Sequence, residues 1–432
     1  LLAYCLSIIL CVSFTGCMEN YLDLYPEDKI TSASFPENES DIKLLLNGVY
    51  AQLREKEVYN QGLFGFGITD GATPNAFNWG TDEVFNKLGA GRLSSSDGGV
   101  VTYRWKRCYE IISRANYLLA CMDLVDLSEE AKAKYSGETH FLRGLAYSVL
   151  AETYGGVPII LTNISTEEAR SLKRASLEET WQQALDDYEV AITNLGVDAP
   201  EPGRATKGAA LGMKMRAYLY QGKYKEVLAC VEQIDALKKY GLFHSYEGLF
   251  DPANENNKEV LFDIQYIEGE NSQGSYIDQY CGTGTGSWTR GSRYVPTDDL
   301  VAAYETIDGS PVDPENPYEN RDPRLGFTAV LPGSYFLGYR FPNYLYPGGA
   351  FNHAGNRLKH LSTRKYRIQD ESKLPPSGQS YINDIILRYA DVLLSKAEAI
   401  IETNGNVADA IAILNRIRTE RDAVSYTHLR AH

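Results

Sequence analysis

Apolar positions recur at steps of three and four through most of this chain, in blocks separated by glycine, proline and asparagine. The clearest block runs from 204 to 238. Ala210, Met213, Ala217 and Tyr220 fall on one helical face, Gly222 breaks the run, and Val227, Val231 and Ile234 form a second face. The small residues Ala209, Ala210 and Ala217 would let a neighbouring helix come close. A helix pair of this kind cannot bury both faces alone, so it predicts neighbours like itself.

Other blocks supply them. Ile42, Leu45, Leu46, Val49, Tyr50 and Leu53 define a helix over 41 to 57. A second helix begins at Tyr103, with Trp105, Cys108, Tyr109, Ile112, Asn116 and Leu119 on one face. Ser128 caps a third, which stops at Gly155-Gly156. A capping box from Ser176 to Glu179 opens a fourth, with Trp181, Ala184, Leu185, Tyr188, Ile192 and Leu195 as its face. The pattern returns at Ile385 with Leu387, Ala390, Leu394, Ala397 and Ile401. After Gly405 the last face is Ala410, Ile411, Leu414 and Ile417.

Two stretches lack any period. Residues 60 to 102 mix Gly, Asn and Ser with Phe and Trp, and long loops of this kind tend to carry function. Residues 239 to 380 contain a strand-like run, EVLFDIQY at 259 to 266, and a glycine-rich run, CGTGTGSWTRGSRY at 281 to 294. The Gly-x-Tyr turn of Gly222 and Tyr224, between alanine-bearing helices, is similar to a tetratricopeptide unit. The expected fold is mainly α: a tetratricopeptide-like helical stack with an inserted irregular, loop-rich lobe carrying a few short strands.

This divides the chain into a helical region at 18–240, opening on an extended arm to Pro36, an irregular lobe at 241–380 and a C-terminal helix pair at 381–423. Residues 1 to 16 are apolar and uncharged, too short to span a membrane, and read as the core of a signal peptide. Phe14-Thr15-Gly16-Cys17 resembles a bacterial lipobox, which makes 1–17 a lipoprotein signal peptide and Cys17 the lipidated residue. The alternative is an ordinary signal peptide with a chance Cys. With no initiating Met or basic segment before it, the gene product is expected to begin upstream. The tail at 424–432 does not continue the pattern and is expected to be foreign to the fold.

Composition narrows the chemistry. The formal net charge of the 432 residues is −15, with no basic block, so no nucleic-acid partner is expected. The seven cysteines show no metal-ligand spacing. Cys108 and Cys230 fit helical faces as buried thiols, although spacing alone leaves a disulfide open. The six His lie in no zinc motif, and Gly282 to Gly286 lacks the Lys-Ser/Thr of a phosphate loop. No G-x-S-x-G elbow occurs, no carboxylate pair stands out, and no motif asks for a cofactor. Sugar rings stack on Trp and Tyr while amide, carboxylate or guanidinium groups take their hydroxyls. Asn75-Ala76-Phe77-Asn78-Trp79 supplies both elements, as does Gly286 to Arg290 with Tyr280, Arg293 and Tyr294. Asn78, Trp79, Tyr280, Trp288, Arg290 and Tyr294 are therefore the candidate glycan contacts. Trp105 and Trp181 fall on helix faces and are assigned to the core.

Several segments resemble the SusD/RagB family: FLRGLAYSVLAETYGGVPII (141–160), GRATKGAALGMKMRAYLYQGKY (203–224), NRDPRL (320–325), LRYADVLLSKAEAI (387–400) and AIAILNRIR (410–418), together with Cys17, Tyr21-Leu22-Asp23, Pro26 and Phe35. The resemblance implies a non-catalytic lipoprotein of the outer membrane, facing the cell exterior. Such a protein binds glycan and serves a TonB-dependent, SusC-like transporter. It implies where ligand residues lie, not which they are. The rival readings are a secreted helical glycoside hydrolase and a scaffold that caps the transporter without a ligand of its own.

Overall fold

The computed structural model describes residues 35–54, 70–78, 87–267, 274–275, 294–337, 339–341, 361–373 and 380–421. The expected signal peptide and the 424–432 tail lie outside them. Helix α1 (Glu39–Ala51) starts at Asn38, whose side chain accepts from the Asp41 amide, and extends by a tight turn to Arg54. Its Ile42, Leu46, Val49 and Leu53 are buried. Strand β1 (Ala76–Asn78) follows. Helix α2 (Val100–Cys121) begins three residues ahead of the expected Tyr103. Gly99 at its N-cap offers no side-chain hydrogen bond, so no capping residue marks the start.

Helix α3 (Glu129–Tyr154) is capped by Ser128 as the sequence predicts. The short α4 (Thr166–Ser171) carries a capping box at Ser165 and Glu168 but buries no residue, so it left no periodic face to read. Helix α5 (Leu177–Asn194) has the predicted capping box. Helices α6 (Lys207–Tyr220) and α7 (Tyr224–Ala236) flank Gly222, whose φ of 67° is the conformation a side chain disfavours at such a turn.

Beyond α7 the elements shorten. Strands β2 (Val260–Ile264) and β3 (Tyr294–Pro296) precede α8 (Asp298–Ala303) and α9 (Arg324–Thr328). Then come β4 (Ala329–Val330), β5 (Tyr335–Phe336), β6 (Tyr339–Arg340) and β7 (Ser362–Thr363). Strand β8 (Asp384–Arg388) leads into α10 (Tyr389–Glu402) and α11 (Val407–Thr419). The strands form antiparallel pairs: β1 with β3, β2 with β8, β4 with β7, β5 with β6. The chain is thus mainly helical with a few short strands.

Helix α3 packs between α2 and α5, α6 between α5 and α7, and α10 against α7 and α11. One continuous apolar core runs through these helices and takes in Leu261, Phe262 and Ile264 of β2. Helix α6 is buried on every side from Gly208 to Met215, which a one-face reading missed. A Cβ on Gly212 would lie 2.3 Å from the Leu387 side chain, so the glycine is what lets β8 approach α6. Tyr220, predicted on the buried face, sits on the last turn of α6 and is 52% exposed.

The spacing also places Ile385 and Leu387 on a helix. The structure makes Asp384–Arg388 a strand instead, with Leu387 opposite Phe262. A short apolar run fits either element, and burial on both sides decides for the strand. The face of α10 shifts accordingly: Ala390, Val392, Leu393 and Ala397 are buried, whereas Leu394 and Ile401 are exposed. On α11 the core takes Ala410, Ile413 and Ile417, and Leu414 is exposed. The residues beyond α7 build two small clusters of their own, one around Phe250, Tyr366 and Ile382, the other from Val330, Phe336, Leu337 and Phe341.

Candidate functional site

The described ends of the two candidate aromatic segments pair in the β1–β3 ladder. Asn78 stands opposite Tyr294, Phe77 opposite Val295 and Ala76 opposite Pro296. The ladder is fixed at its other end. A turn at Asp70 to Ala72 is held by the Thr73 hydroxyl donating to the Asp70 carbonyl at 2.8 Å. The Thr297 amide donates to the Asn75 carbonyl at 3.1 Å, and its hydroxyl donates to the Pro74 carbonyl. The same hydroxyl accepts from the Leu300 amide at 3.2 Å, capping α8. Val295 is buried, while Phe77 is 42% exposed on the neighbouring strand.

Trp79, Tyr280, Trp288 and Arg290 lie outside the described residues, as do Cys17 and Cys281. Asn78 and Tyr294 are placed through their backbone. In sequence, Trp79 directly follows Asn78, and Arg290 and Arg293 precede Tyr294. The remaining tryptophans are scaffold residues. Trp181 is buried, and Trp105 is half-buried, edge-on to Tyr154 with ring centroids 5.2 Å apart.

Beside this ladder, where β2 meets β8, lies a group of carboxylates the sequence pattern did not single out. Asn383 is its hub. Its side chain donates to Asp263 at 3.2 Å and accepts from the Tyr266 amide at 2.8 Å, and its amide donates to Glu255 at 2.7 Å. Burial pushes Asp263 up to about 6 despite the hydrogen bonds from Gln265 and Asn383, which act the other way. Burial also pushes Glu255 up to about 7. Asp384 rises to about 7, through burial first and then the charge of Asp263. Asp70 is raised by burial, against the pull of Lys365.

Two clefts flank the loop between α5 and α6. One of about 340 Å³ is lined by Asn47, Tyr50, Arg54, Arg204 and Gln265; the other, of about 460 Å³, by Asp198, Lys239, Tyr240, Asn256 and Lys258. Cations already cover their rings: the Arg204 guanidinium sits 4.8 Å over Tyr50 and Lys239 sits 5.8 Å over Tyr240. Cys108, Cys121 and Cys230 are buried free thiols, and burial pushes Cys108 to about 12 and Cys230 to about 11, which leaves both protonated and inert. Among the described residues no group of three or more His, Cys, Asp or Glu could hold a metal ion, and no helix is long and apolar enough to cross a membrane.

Comparison with known proteins matches this arrangement to one family. The profile described as the SusD family matches residues 258–427, and the profile described as starch-binding associating with outer membrane matches residues 20–219. The chain belongs to the SusD/RagB family. Among its SusD relatives, SusD-like protein P25 of Formosa agariphila is 26% identical over 437 residues, covering 93% of this chain and 78% of the relative. A solved SusD-like carbohydrate binding protein from Bacteroides fragilis superposes with a TM-score of 0.76 at 26% identity, over 88% of this chain and 78% of that one. A second SusD-like protein from the same species gives 0.77 at 25% identity, over 94% and 83%.

Proposed function

We propose that this SusD/RagB chain captures glycan at the outer surface of the outer membrane, does not cleave it, and passes it to a TonB-dependent, SusC-like transporter. The observation that supports a ligand surface in the lobe is the Asn78–Tyr294 pair, which joins the end of one segment to the start of another whose sequences nearby are rich in Trp, Tyr, Asn and Arg. The carbohydrate-binding relative of the same fold supports the ligand class. The family profile that names outer-membrane association supports the location, with Cys17 as the lipid anchor. On this reading residues 241–380 carry the ligand surface, joined by the 75–79 segment, and the helices form the scaffold.

A polysaccharide panel with product analysis tests this. Binding without cleavage is expected. Cleavage products would identify a hydrolase, and neither binding nor products would leave a scaffold for the transporter. Trp79→Ala and Trp288→Ala should each weaken binding roughly three- to tenfold in calorimetry, the range for one stacked ring, with helical content unchanged. Loss of folding would place the ring in the core.

A further inference from the structure

The lobe presents a second aromatic platform, away from the β1–β3 ladder, that no sequence motif marks. It is the β5–β6 hairpin. Tyr335 is 67% exposed, more than any other aromatic residue among those described. Arg340 stands directly opposite it across the hairpin and is also exposed. Directly opposed residues of an antiparallel pair project to the same face, with Cβ atoms roughly 5 Å apart. Among the described residues neither side chain has a hydrogen-bonding or ionic partner.

The other face of the hairpin explains why this one is held outward. Phe336 and Phe341 are buried with Val330, and Leu337 at the turn is buried too, at a φ of 48° that a leucine rarely adopts. The Arg364 and Arg367 guanidinium groups sit 5.8 and 5.6 Å from the Phe336 ring. The Phe341 amide donates to the Ser334 carbonyl at 2.9 Å, closing the base. With three hairpin residues packed inward against Val330, the tyrosine ring and the guanidinium are presented on a rigid base rather than a loose loop. Rigid presentation lowers the ordering cost of binding. The hairpin packs on β4, β4 pairs with β7, and β7 adjoins β3, so the platform belongs to the lobe that carries the ladder.

We propose that Tyr335 and Arg340 form a separate glycan subsite, the ring stacking on the C–H face of a pyranose and the guanidinium donating to its hydroxyl oxygens. This rests on the glycan-capture reading and adds a second contact point to it. Two contacts on one long chain bind more tightly than either alone.

The test measures binding of amylopectin, laminarin, xylan and polygalacturonate by the unaltered protein, Tyr335→Ala, Tyr335→Phe and Arg340→Ala. For a polysaccharide that the unaltered protein binds, Tyr335→Ala should weaken affinity roughly three- to tenfold. Arg340→Ala should weaken it as well, and Tyr335→Phe should retain most of it, because the ring remains. Melting temperatures should not move, since both side chains face solvent. Full affinity in Tyr335→Ala overturns the subsite and leaves glycan capture standing. Equal losses in Tyr335→Phe and Tyr335→Ala would also overturn the stacking role. No binding of any panel member by the unaltered protein overturns glycan capture and the subsite together.

Discussion

In the helical stack, Phe141, Leu145, Tyr147 and Tyr188 are fully buried in one continuous core, and the backbone satisfies its own hydrogen bonds within each helix. Its buried arginines are therefore free to pair with side chains: Arg143 reaches Asp187 at 2.7 Å and Asn116 at 2.8 Å, and Arg107 reaches Gln52 at 2.7 Å. In the lobe the backbone turns too often to do this. Arg321 there donates to the carbonyls of Pro317, Val301 and Tyr304, and Arg364 donates to that of Gly326 as well as to Glu247. The difference teaches what holds irregular structure in place. Where main-chain carbonyls have no ladder, long cationic side chains satisfy them, and apolar clusters can stay small.

Arg321→Met tests that contrast most severely. It strips three part-buried carbonyls of a charged donor and should cost about 2–4 kcal/mol. In hydrogen exchange, amides near residues 298–330 should lose protection while those of α3 and α5 keep theirs. Equal loss in both would show that stack and lobe unfold as one unit, and the contrast would fail.

Ala210→Trp probes the other side. Ala210 is fully buried on α6, so overpacking should cost about 1–3 kcal/mol or more and lower the melting temperature. An unchanged melting temperature would mean that the stack yields at its tightest contact, contrary to a close-packed core.

A third test lies where the two regions join. Asp263, Glu255 and Asp384 hold protons more tightly in the fold than carboxylates normally do. The folded chain then binds more protons than the unfolded chain between pH 4 and about 7. Their contribution is fully present below the ordinary carboxylate range and is lost as pH rises through about 6 to 7. Urea midpoints at pH 5, 6, 7 and 8 should fall in that order, and Asp263→Asn should flatten the decline. A rise toward pH 8 would contradict the burial of these groups.

The same contrast explains what could be read in advance. Ser128, Ser176 and Gly222 mark helix ends by local chemistry, and the structure uses all three so. The faces of α1 and α5 were legible because one side of each helix meets the core. Helix α6 was misjudged at Tyr220, and β8 was read as helix, because burial from several sides erases periodicity. The site was less legible still. Nothing local to Asn78 or Tyr294 announces a partner more than two hundred residues away. Tyr335 carries no signal at all in sequence, since its exposure is decided by which neighbours turn inward.

Ile264 and Asp384 face each other in the β2–β8 ladder, and Arg421 at the end of α11 pairs with the buried Glu259 beside it. The interval from 265 to 383 therefore begins and ends at this one ladder. Closing a loop across such a ladder costs only about 0.6 kcal/mol more for each doubling of its length. Changes of length inside that interval therefore cost the frame little in loop closure. One inherited chassis can thus be refitted for different cargo.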